Sequence, residues 1–201
     1  GAALADRAGR LSAADGRVRL GYASGTPTHQ RDFAEIASVL ARLLDEHPEL
    51  IITIVGHLTM EEFPDLMARR DRIEIRPHVP HAELFHEYAR FDVNLAPLQR
   101  DNPFCESKSE LKYFEAALVE VPTVASATYP YRSAIKDDET GSCARTPEEW
   151  QAQLGALIEN PDERLRQGRN ARSHSIAAFG PEAQSASARQ VFSAIAHRFR
   201  G

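Results

Sequence analysis

From Val18 onward two hydrophobic patterns take turns along the chain. Val18-Arg19-Leu20-Gly21-Tyr22 runs into the small residues Ala23, Ser24 and Gly25, which predicts a short strand and a turn. Phe33, Ile36, Ala37, Leu40, Leu43 and Leu44 then recur at helical spacing, and Pro48 closes that helix. Ile51 to Val55 is β-branched throughout and ends at Gly56, as a strand buried on both faces should. The alternation continues with a short helix 61–69, a strand 73–76, a helix 81–90 and a strand 93–98. After a loop over 99–107 come a helix from about Ser107 through Val119 with Leu111, Phe114 and Leu118 as its buried stripe, a strand 122–127, a helical turn after Pro130 and a brief strand 141–144. The remainder is helical. Trp150, Leu154, Leu157 and Ile158 mark one helix, Pro161 starts the next, and Phe192, Ile195, Ala196 and Phe199 mark the last.

Alternation of this kind needs right-handed crossovers and predicts an α/β fold: a Rossmann-like doubly wound parallel sheet flanked by helices, with a helical C-terminal tail. Residues 18–201 form one domain and residues 1–17, rich in Ala, Gly, Asp and Arg without apolar period, form a linker. Opening on Gly1 rather than Met, the chain reads as a processed or excised piece of a larger protein. No segment approaches the roughly 20 consecutive apolar residues that span a bilayer, and residues 1–16 lack the apolar core of a signal peptide.

Composition narrows the functional classes. The 24 basic and 29 acidic residues leave a net charge of −5, which offers no overall attraction to nucleic acid or to an anionic membrane. Cys105 and Cys143 are the only cysteines and form no C-x-x-C pair, so neither a disulfide framework nor a cysteine metal site is expected, and a reducing, cytoplasmic compartment fits.

In an open parallel sheet ligands sit outside the carboxyl ends of the strands. Three of the loops there hold unusual residues. The turn from Ser24 to Arg31 offers Gly25 for close backbone approach, the hydroxyl of Thr26, and His29 and Arg31 at a helix start, a setting that suits a phosphate; equally, Thr28 caps the helix and Pro27 shapes the turn. The segment Asn102 to Glu115, read as a helix from Ser107, puts Lys108, Lys112 and Glu115 on one stripe. Lysines at a helix N-terminus oppose the macrodipole, and a bound diphosphate would explain them, with Glu115 accepting hydroxyl hydrogen bonds from a ribose diol. The alternative is a solvated face with a Lys112–Glu115 pair. His78-Val79-Pro80-His81 has two histidines three apart but no further ligand at metal spacing, so no metal site is expected. The absence of a D-x-D element leaves nothing to hold magnesium.

From Val93 to Gly168 the chain resembles the donor-binding half of retaining glycosyltransferases of the GT-B fold, of the kind grouped in glycosyltransferase family 4. The resemblance lies in Asp92-Val93-Asn94-Leu95-Ala96-Pro97, Glu115-Ala116-Ala117, Val121-Pro122-Thr123-Val124-Ala125-Ser126, Asp138-Glu139-Thr140-Gly141, Asn160-Pro161, and Arg164 with Ala171-Arg172. Counting Gly21 to Gly56 as the family's opening strand, turn, helix and strand extends it over nearly the whole domain.

The resemblance implies a nucleoside diphosphate sugar as donor substrate, no cofactor or metal, and a carbohydrate acceptor bound through an N-terminal domain that this chain lacks. It also implies a place in the cytoplasm, at the inner face of the membrane through the parent protein. Of the family's two glutamates eight positions apart, the ribose-binding one carries over to Glu115, while the sugar-contacting one falls on Ser107 with Glu106 one place off. Lys108-Ser109-Glu110-Leu111-Lys112 resembles a bacterial subgroup that builds surface polysaccharides, in which a lysine takes part of the diphosphate contact. The expected site is thus Lys108 and Glu106 for catalysis, with Gly25, Thr26, His29, Arg31, Ser107, Ser109 and Lys112 around the diphosphate, Glu115 at the ribose, and His78 and Val79 at the base. Two rivals stand beside it: a nucleotide-sugar epimerase of the same architecture, and a non-enzymatic doubly wound interaction domain, which would need an acidic cluster that residues 25–31 lack.

Overall fold

The computed structural model describes residues 15–26 and 29–185, together with 188, 189 and 192. Most of the predicted linker, the Pro27–Thr28 cap and most of the predicted last helix lie outside the described residues. Six parallel strands form one sheet: β1 (Val18–Ser24), β2 (Leu50–Gly56), β3 (Ile73–Arg76), β4 (Val93–Ala96), β5 (Thr123–Ser126) and β6 (Ser142–Ala144). Their order is β3-β2-β1-β4-β5-β6, so the chain builds outward from β1, returns to its other side and builds outward again. The helices are α1 (Gln30–Glu46), α2 (Pro64–Met67), α3 (His81–Tyr88), α4 (Leu111–Leu118), α5 (Tyr129–Ala134), α6 (Pro147–Glu159) and α7 (Pro161–Phe179).

Both faces of the sheet are covered, so the central strands are buried along almost their whole length, polar members such as Arg19, Thr53, Asn94 and Thr123 included. Leu20 and Tyr22 of β1 join Phe33, Ile36 and Leu40 of α1 and Trp150 and Leu154 of α6 in one core. Ala23 packs with Tyr88, Phe91 and Ala116 in another. Gly21 is required here because a Cβ would stand 2.0 Å from the Phe91 ring. The turn residues quoted for the resemblance hold the frame together. Asp92 accepts from the Arg19 amide at 2.8 Å, and the buried Arg164 donates to the last carbonyls of α6, Leu157 at 2.6 Å and Ile158 at 2.9 Å. The Asn160 side chain caps α7 through the Glu163 amide, with Pro161 at its first position.

The predicted helix from Ser107 needs correction. Cys105–Ser107 is a 3-10 turn, Lys108 is extended (φ −69°, ψ 138°), and α4 begins only at Leu111. The side chain and carbonyl of Asn102 close that turn by accepting from the amides of Phe104, Cys105 and Glu106. The buried stripe also differs: Tyr113, Ala116 and Ala117 face the sheet, while Leu111 and Leu118 are 53% and 40% exposed. Alanines let the helix approach the strands more closely than leucines would.

Candidate functional site

The strand order reverses between β1 and β4, and a cleft of about 360 Å³ opens there, at the carboxyl ends of the strands. Its first wall is the end of β1, Gly25 and His29. Its second is Lys108 to Glu115, and Gly56, His78 and Val79 close one end. Gly56 has φ +97° and a Cβ on it would stand 2.2 Å from the Ser24 carbonyl, so only glycine lets β2 end against β1 in this way. Among the described residues, none apart from its chain neighbours comes within 4 Å of where a Cβ on Gly25 would be.

Two ammonium groups line the second wall. Lys112 donates to the Ala23 carbonyl and lies 4.5 Å from the centre of the Tyr22 ring. Burial pushes its pKa down to about 8, against the opposing pull of Glu115 and Asp32. Lys108 donates to Asp32 Oδ2 at 2.7 Å. His29 stands across from them. Burial, helped by the charge of Lys112, lowers its imidazole to about 4, which leaves it neutral near pH 7, and its Nδ1 is buried with no partner.

Glu115 is 6% exposed, so a solvated face is excluded for it. Tyr88 donates its hydroxyl to Oε2 at 3.0 Å, and His81 Nε2 lies 2.9 Å from Oε1. Burial and the neighbouring carboxylate raise the Tyr88 pKa well above that of a free phenol, so Tyr88 stays a neutral donor. A carboxylate oxygen has two lone pairs, so each oxygen keeps acceptor capacity after these contacts.

Of the residues expected from the sequence, Gly25, His29, His78, Val79, Lys108, Ser109, Lys112 and Glu115 line this one cleft. Thr26, Arg31, Glu106 and Ser107 are not among its lining residues. Arg31 is exposed on α1, Glu106 accepts from the Tyr129 amide at 3.0 Å, and the Ser107 hydroxyl donates to the Pro103 carbonyl at 3.3 Å. The helix N-terminus expected near Ser107 to Ser109 is replaced by a single 3-10 turn, so no macrodipole acts there. His78 stacks on His57 with ring centres 5.1 Å apart rather than converging with His81, and no group of three metal-type ligands occurs among the described residues.

Asp32, Tyr88 and Gly56 were not singled out from the sequence. Asp32 carried a signal, because it falls on the apolar stripe of α1 with Ile36 and Leu40, where a carboxylate needs a partner.

The strand order and a crevice at its reversal define a Rossmann-like α/β domain. The family described as "Glycosyl transferase-like" matches residues 31–189, and the chain belongs to that family. No curated protein matches by sequence. Among solved structures, the chain is similar to the C-terminal domain of the group 1 glycosyl transferase LpcC from Francisella tularensis, with 16% identity, a TM-score of 0.61, and 82% and 87% of the two chains covered. It is similar to HepE from Anabaena in complex with UDP, with 14% identity, a TM-score of 0.71, and 95% of this chain against 55% of that one. It is also similar to WaaG, a glycosyltransferase involved in lipopolysaccharide biosynthesis, with 15% identity, a TM-score of 0.67, and coverage of 92% and 50%. The chain thus spans about half the length of HepE and WaaG.

Proposed function

We propose that this chain is the nucleotide-sugar-binding domain of a retaining glycosyltransferase that moves a sugar from a nucleoside diphosphate donor to a carbohydrate acceptor in surface polysaccharide synthesis. The observation that carries it is the convergence in one cleft of two lysines, the Gly25 turn and a buried glutamate. Ribose hydroxyls donate to Glu115, the base rests by His78 and Val79, and the diphosphate meets Lys108, Lys112 and the start of α1, with neutral His29 beside them. When the bond from the anomeric carbon to the phosphate oxygen breaks, negative charge builds on the diphosphate. Catalysis by this domain consists of stabilising that charge with fixed ammonium groups and orienting the donor. The ammonium groups take the part a divalent ion plays elsewhere, so the reading is metal-independent. Glu106, outside the cleft lining, has no role in it. The acceptor binds a second domain that closes over the cleft, and the parent protein works at the cytoplasmic face of the membrane.

The test is a thermal-shift panel of UDP, GDP, dTDP and ADP with and without EDTA. At least one nucleotide stabilises the chain, and EDTA leaves the shift unchanged. Stabilisation by none would contradict the nucleotide reading, and strict dependence on magnesium would contradict the phosphate site.

A further inference from the structure

We infer that Asp32 is a positioning residue for the diphosphate: its buried carboxylate holds the Lys108 ammonium at the cleft. This rests on the nucleotide reading above. Asp32 sits in the first turn of α1 and is 1% exposed, a position where an ionised carboxylate is costly unless it is paired and fully hydrogen-bonded. Its partners all come from the segment between β4 and α4. Lys108 Nζ donates to Oδ2 at 2.7 Å, and Oδ1 accepts from the Gln99 amide at 3.3 Å, from Gln99 Nε2 at 3.2 Å and from the Cys105 thiol at 3.7 Å. One carboxylate therefore gathers the loop that supplies half of the second wall.

Lys108 depends on it more than Lys112 does. Lys112 belongs to α4, and the Ala23 carbonyl and the Tyr22 ring set its direction. Lys108 stands on extended backbone outside any helix; apart from Asp32, its ammonium has the Phe104 ring at 5.6 Å. Its side chain is 23% exposed and lines the cleft. An ammonium has three donors, so the one spent on Asp32 leaves two for an incoming anion. Holding a long, flexible lysine in place before the ligand arrives removes an ordering cost that binding would otherwise bear. The negative charge of Asp32 is already covered by four donors, which limits its repulsion of phosphate.

The experiment titrates wild type, Asp32→Asn, Lys108→Met and the double variant with whichever of UDP, GDP, dTDP and ADP binds most tightly, and with its nucleoside. Each single variant loses about 10- to 100-fold in diphosphate affinity, keeps nucleoside affinity within about twofold, and the double variant binds no more weakly than Lys108→Met. A loop clamp without a positioning role would weaken nucleoside and diphosphate alike, or add its loss to that of Lys108→Met. Either result, or full diphosphate affinity in Asp32→Asn, would overturn the inference while leaving the nucleotide reading standing. Failure of wild type to bind any of the four would remove both. A second measurement needs no substitution at Asp32: in wild type, the ¹⁵N signal of the Lys108 ammonium, assigned by its loss in Lys108→Met, shows slowed proton exchange before and after nucleotide is added. Exchange as fast as that of exposed lysines in the free protein would contradict the pairing.

Discussion

Lys112 and Glu115 are three positions apart on α4 and solve opposite problems. Glu115 is buried yet keeps its charge company through Tyr88 and His81. Lys112 donates to a carbonyl and lies over a ring, and burial outweighs the pull of Glu115 and Asp32 to hold its pKa at about 8 against 10.5 for a free lysine. Between those values the unfolded chain carries a proton that the folded chain has released, so stability gained from this group rises with pH. Wild type should therefore gain stability relative to Lys112→Met as pH rises from about 8 toward 10.5, measured by urea denaturation. A flat or falling difference would contradict an enclosed ammonium. A bound diphosphate favours the charged lysine, so nucleotide binding near pH 8 should take up protons. Calorimetry in two buffers of different ionisation enthalpy reads this directly, and zero uptake would place the phosphates away from Lys112. These residue types and their spacing were legible in the sequence; Tyr88, brought to Glu115 from a different helix, was not.

Among the elements, the segment from Gln99 to Leu118 separates what local pattern can and cannot decide. Ser107 to Val119 has two helical stripes, one through Leu111, Phe114 and Leu118 and one through Tyr113, Ala116 and Ala117. The bulkier stripe reads as the core, but the smaller one is buried because it lets α4 lie close against the sheet. The extended residue ahead of α4 makes a contact no window contains: Lys108 pairs with Asp32, 76 positions away. The strands and their order of appearance were legible because short runs centred on apolar residues, β2 most clearly, alternate with segments of helical period. Close approach also sets the sign of a helix substitution. Replacing a mid-helix glycine by alanine usually stabilises by about 0.5–1 kcal/mol. Gly155→Ala in α6 should do so, since among the described residues nothing beyond its own helix backbone lies within 4 Å of its Cβ position. Gly168→Ala in α7 should instead destabilise by about 1–3 kcal/mol, because the methyl would stand 1.9 Å from the Glu120 carbonyl. Urea denaturation of both variants checks the pair, and equal signs would contradict the packing of α7 on the end of α4.

For the whole molecule, the reversal of strand order beside β1 fixes where a ligand enters, and the residues expected to bind one arrive there from three separate loops and a helix. The fold class could be read from alternation alone, whereas the cleft lining could not, because Thr26, Glu106 and Ser107 in its loops and Arg31 at the start of α1 do not line it. A donor domain that relies on a second domain for its acceptor should bind nucleotide yet show no multiple turnovers alone; sustained transfer to a defined acceptor by the 201-residue chain would contradict that division. The central claim is that the cleft holds a nucleoside diphosphate with its ribose diol on Glu115. Calorimetric titration of wild type and Glu115→Gln with the bound nucleotide and with its 2′,3′-dideoxy form tests it. Weakening two charge-assisted hydrogen bonds should cost the diol ligand about 1.5–3 kcal/mol, roughly 10- to 100-fold, while the dideoxy ligand binds both proteins alike. A coupling energy near zero between the substitution and the diol would show that Glu115 does not hold the ribose.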